Sequence, residues 1–183
     1  MAIKNLQQVL DFWFAAENAD LLFAKDDNFD ATIRYQFLDT WTAAANNELW
    51  QWRDDPYGRL AEIIVLDQFS RNLWRGSAKS FSQDKMALAL SQELYHHPAF
   101  NDLFNEQEKI FAVMPFMHSE SKTVHKWALT IFQEIGNENN LYCEKLHKNI
   151  IDKFGRYPHR NEVLGRETTA EEAEFLTQEN SSF

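Results

Sequence analysis

The chain has 183 residues, of which 44% are apolar and 14% aromatic; fifteen Phe and six Trp are enough to bury a large core within one domain over residues 1–183. Five glycines and four prolines are too few for a sandwich of many tight turns. A net charge of −10 excludes general binding to nucleic acid or to an anionic membrane, because phosphates demand local positive charge.

Apolar spacing is helical along almost the whole chain. Leu6, Leu10, Trp13 and Phe14 fall on one helix face. Phe29, Ile33, Phe37 and Trp41 repeat every fourth residue, with Asn28 in position to cap their helix. Asp55-Pro56 pairs a cap with a proline at the first helical position, opening a helix to about Arg75. Ser82 or Asp84 starts the next, through Met86, Leu90 and Leu94. Glu106 to Met114 forms a fifth helix, which Pro115 ends or kinks. Ser121 caps a sixth that Gly136 closes, and a seventh runs from about Asn139 to Phe154, with Gly155 just beyond it. Thr169 and Glu172 have the spacing of a capping box and begin a short last helix. The links are short, so the expected fold is all-α, about eight helices in antiparallel hairpins, with frayed termini at Met1 and at Glu179–Phe183. A 34-residue repeat is compatible with these lengths, but its residue signature is not visible.

Three segments depart from ordinary helix. In Leu66–Arg75, Asp67 and Arg71 are four residues apart and able to pair, with Gln68, Asn72 and Arg75 beside them, while Leu66, Phe69 and Leu73 keep the other faces apolar. Arginine offers five donors in a rigid fork suited to carboxylate or phosphate. Around Pro115, His118 and Glu120 fall at a helix junction, where a histidine can exchange protons near neutral pH. From Gly155 to Arg166 runs a basic loop with Arg156, His159, Arg160, Asn161 and Arg166, three of the chain's eight arginines. Each segment also has a plain structural reading: an ion pair between helices, a junction histidine with a capping serine, or arginines on free helix carbonyls.

These segments, with Val9–Phe14, Leu66–Asn72, Pro115–Glu120, Gly155–Asn161 and Leu164–Thr168, resemble the bacterial domain-of-unknown-function 924 family over nearly the whole chain. The resemblance implies an all-α, tetratricopeptide-like helical array and names no reaction. The pattern of that family usually has proline where this chain has Ser70, a departure that touches none of the charged positions.

The expected site is a polar pocket lined by Asp67, Arg71, Asn72, Arg75, His118, Glu120, His159, Arg160 and Asn161, holding a small anionic molecule or a peptide, with Trp13, Trp74 and Tyr157 available for flat apolar contact. One alternative is an enzyme with His118, His159 or Glu120 as acid–base group on an anionic substrate. Another is a polar network that only sets helix register. His118, Glu120, His125 and His159 lack metal-ligand spacing, and no Gly-rich phosphate loop occurs, so no metal or cofactor is expected. Lone Cys143, the absence of a leader pattern in Met1–Leu10 and of any long apolar stretch fit a cytoplasmic protein. A homo-oligomer through exposed aromatic surface is compatible with the composition.

Overall fold

In a computed structural model that describes residues 2–182, the chain is all-α, with no strand among the described residues. The helices are α1 (Leu6–Trp13), α2 (Asp27–Ala45), α3 (Pro56–Ile64), α4 (Ser70–Leu73), α5 (Asp84–Tyr95), α6 (Phe100–Leu103), α7 (Glu106–Met117), α8 (Lys122–Ile135), α9 (Glu138–Phe154) and α10 (Ala170–Phe175). A π turn, Val65–Phe69, joins α3 to α4 without a break in the helical path. The sequence suggests about eight helices; the two extra ones are α6 and α4, the latter set apart by the π turn. Met1 and Phe183, part of the expected frayed ends, lie outside the described residues. Near the other end of the chain, the Ser181 hydroxyl donates to the Leu176 carbonyl (3.2 Å).

Local signals account for most of the ends. Asn5 with Gln8, Asn105 with Glu108 and Thr169 with Glu172 form complete capping boxes. Gly136 and Gly155 adopt positive φ (83° and 70°) and close α8 and α9. α2 begins earlier than Asn28 suggests, because Asp26 accepts the Phe29 N–H (2.8 Å) and takes the cap. α7 runs past Pro115 to Met117. Pro115 withdraws one N–H in the last turn, yet every residue from Ile110 to Met117 is buried, and that packing holds the turn. Gly58 on α3 is required by close approach, since a Cβ there would stand 2.2 Å from the Trp52 carbonyl oxygen.

Two stretches are buried on all sides: Leu60–Ser70 and Ile110–Met117. They pack against each other, and α1, α2, α5 and α8 each lie against one or both of them. Trp13 joins them, with its ring 5.6 Å from Phe69 and 5.3 Å from Phe111. Trp13 is fully buried, which removes it from any ligand contact. Ser70 accepts from Trp41 Nε1 (2.8 Å) and donates to the Leu66 carbonyl, tying α2 to the π turn.

Candidate functional site

The π turn carries Asp67 and Gln68 into the centre of the fold, and π turns of this kind recur at functional sites. The Asp67 side chain is 1% exposed, and its two oxygens are shared among three partners. Oδ2 accepts from Gln68 Nε2 (2.6 Å), while Oδ1 faces His118 Nδ1 (2.7 Å) and accepts from Arg71 Nη1 (3.0 Å). Burial opposes ionisation, but Arg71 and His118 outweigh it and hold the carboxyl below its ordinary range. His118 closes α7 at the helix C-terminus. Burial and the nearby Arg71 push its imidazole below the ordinary value, so the ring is neutral at pH 7 despite Asp67. An ionised Asp67 facing a neutral ring fixes the tautomer: Nδ1 donates, and Nε2 keeps its lone pair. Nε2 has no protein partner among the described residues, and the ring is 14% exposed.

Two guanidiniums stand next to this pair. Arg71 Nη1 and Nη2 reach both oxygens of Asp84 (3.1 and 3.3 Å), the first residue of α5. Arg160 Nη1 reaches the same carboxylate (3.1 Å), and its Nη2 donates to the His118 carbonyl (3.2 Å). The Phe81 and Tyr157 rings lie 4.4 and 4.5 Å from the Arg160 guanidinium carbon. Arg160 is buried, and its Nε has no hydrogen-bond partner.

The structure thus brings together Asp67, Arg71, His118 and Arg160, which lie on three distant stretches of chain. Glu120 and Asn161 sit one step along the loop and bind Arg166 instead. Glu120 accepts from Arg166 Nη1 and Nη2 (2.7 and 3.0 Å) and from the Tyr157 N–H (2.7 Å). Arg166 Nε donates to Asn161 Oδ1 (3.0 Å). Arg156 is spent on Glu172, at 2.6 and 2.8 Å. His159 packs against Tyr157, with ring centres 5.6 Å apart, and burial followed by Arg160 lowers its pKa to about 4. Asn72 and Arg75 are not in this group. Asn72 Nδ2 and Arg75 Nε both bind Asp30 on α2 (2.7 Å each), beside a shallow hollow that also exposes Lys25 and Arg34. The reason is geometric: Asn72 is rotated about 100° from Arg71 around the helix, and α4 ends at Leu73, so Arg75 lies beyond it. Trp74 lies on another face, with Lys79 Nζ 3.6 Å from its ring centre.

Asp84 is missing from the sequence expectation because its position reads as a helix start. A second buried cluster is also missing. His125 Nδ1 meets Glu144 Oε1 (2.8 Å), and its Nε2 donates to the Ser119 carbonyl (2.8 Å). The Tyr157 hydroxyl donates to the Met117 carbonyl (2.6 Å). One signal was available: Glu144, His147, Ile150 and Ile151 share the buried stripe of α9 at a spacing of 0, 3, 6 and 7 residues.

Among the described residues, no group of three or more His, Cys, Asp or Glu side chains is placed to hold a metal ion, and no helix is long and apolar enough to cross a membrane. Residues 9–180 match the family of bacterial proteins of unknown function DUF924, and the chain belongs to that family. A solved structure of a protein of unknown function from Agrobacterium tumefaciens is similar at 34% identity, with a TM-score of 0.87, covering 93% of this chain and 96% of the other. No curated protein matches the chain.

Proposed function

We propose that the protein binds a small anionic molecule, free or at the end of a peptide, on the Arg71–Arg160 pair beside His118. The observation that carries this reading is that two guanidiniums from distant segments converge on one carboxylate, Asp84, while Arg160 still has an unused donor. Charge-assisted contacts to a planar acceptor are what an arginine fork supplies best. Acetate and phosphate titrations followed by thermal unfolding, with chloride as the ionic-strength control, test it. At ten times the dissociation constant the midpoint rises by about 4 °C. Arg160→Gln removes that rise. A midpoint indifferent to both anions leaves a network that only fixes helix register.

The Asp67–His118 contact favours a second reading, acid–base chemistry on the bound anion. A neutral imidazole held through Nδ1 by a buried carboxylate offers Nε2 as a proton acceptor. In that reading Asp67 orients the ring, His118 takes the proton, and Arg71 and Arg160 hold the substrate. His118→Gln then abolishes turnover while anion affinity persists.

A further inference from the structure

Arginine–carboxylate pairs in this protein differ in tightness, and the looser ones all involve Arg71 or Arg160. Arg53–Glu62, Arg75–Asp30, Arg156–Glu172 and Arg166–Glu120 each have their closest contact at 2.6 or 2.7 Å. These are the lengths of well-formed charge-assisted bonds. Arg71, shared between two carboxylates, stands 3.0 Å from the fully buried Asp67. The three contacts to Asp84 are all longer, at 3.1, 3.3 and 3.1 Å, although two guanidiniums serve that single carboxylate. Asp84 is tethered to the first turn of α5 and does not close onto the fork. A carboxylate free of that tether can.

We infer that the natural ligand is a carboxylate that takes the place Asp84 holds on the Arg71–Arg160 pair. This inference rests on the anion-binding reading above and names the chemical class of the anion. Asp84 accepts through both oxygens, which are the donor-matched positions of a flat, two-oxygen acceptor. The Phe81 and Tyr157 rings lie against Arg160 and leave its edge for bonding. A flat carboxylate fits that edge. A tetrahedral phosphate projects oxygens out of the plane, where the rings offer no donor. Displacement is feasible because the Asp84 side chain is 16% exposed and belongs to the first turn of a twelve-residue helix, where a carboxylate released to solvent remains favoured by the helix dipole. The carboxylate would sit beside His118, whose carbonyl already accepts from Arg160.

The test is calorimetric titration of the wild-type protein, Asp84→Asn and Asp84→Ala with acetate and, separately, with inorganic phosphate. Acetate binds at least tenfold more tightly to either variant than to the wild type, and its gain is at least three times that of phosphate, which also profits from loss of the Asp84 charge. Asp84→Asn keeps the shape of the side chain, so it gives the readout if Asp84→Ala does not fold. Acetate affinities equal across the three proteins, or phosphate gaining as much as acetate, overturn the inference and leave the anion-binding reading standing. Binding of neither anion to any of the three proteins overturns both.

Discussion

Asp67→Asn destabilises the protein by about 3 kcal/mol, the range for removing one partner of a buried ion pair. Asp67 accepts from Gln68 and Arg71 and faces the Nδ1–H of His118, and all these contacts converge on a side chain that is 1% exposed. An asparagine preserves the shape but replaces one acceptor oxygen with a donor. Gln68 can turn its amide to accept from that NH2, but Arg71 and His118 lose the negative charge that offsets their own burial. Arg71 retains Asp84, so the guanidinium is not orphaned and the fold survives. Urea unfolding of the two proteins measures the difference. A loss below about 0.5 kcal/mol, the usual size for a surface change, contradicts the burial and sharing described here.

Stability falls by about 4 kcal/mol between pH 7 and pH 5. Two histidines, the buried His147 and the half-buried His159, account for most of the loss. Burial lowers the pKa of His147 to about 3, and burial followed by Arg160 lowers that of His159 to about 4, from an ordinary 6.5. Below pH 6.5 the unfolded chain takes up a proton at each ring, whereas the folded protein does not. The unfolded state therefore binds more protons, and stability decreases as the pH falls through this window, by about 2 kcal/mol per histidine. His118 is shifted in the same direction. Glu144, raised by burial, opposes the trend because its folded form accepts a proton more readily than the unfolded one. For His159 the facing charges are Arg160, Arg71 and Arg166 against Glu120. Urea midpoints at the two pH values check the slope, and His159→Asn removes about half of it. Equal midpoints at pH 7 and pH 5 contradict it.

Much of the architecture is legible in the sequence because it is locally encoded. Thr169 with Glu172, Asp55 with Pro56, and Gly136 and Gly155 act within a few residues of themselves, and each marks a helix end in the structure. Pro115 misleads for the opposite reason: its local preference is overridden by the burial of Phe116 and Met117. The π turn has no signature in apolar spacing, since Leu60–Ser70 is buried on every side and any helical register would satisfy it. In the site, the Asp67–Arg71 pair follows from i, i+4 spacing, and structure alone places it beside His118 and Arg160. Asp84 illustrates the limit: one carboxylate in a helix's first turn looks the same in sequence whether it caps, faces water or closes a guanidinium pair. Arg75 shows the converse, since its spacing from Arg71 suggests a shared face that the end of α4 at Leu73 removes.

The most direct test of a neutral, Asp67-oriented His118 beside an anion-binding arginine pair is the 15N NMR spectrum of the His118 ring at pH 7, recorded with and without acetate. The account predicts a protonated Nδ1 and an unprotonated Nε2 in the free protein, with both signals moving as acetate saturates Arg71 and Arg160. A ring protonated on Nε2, or signals that stay fixed at saturating acetate, would contradict it.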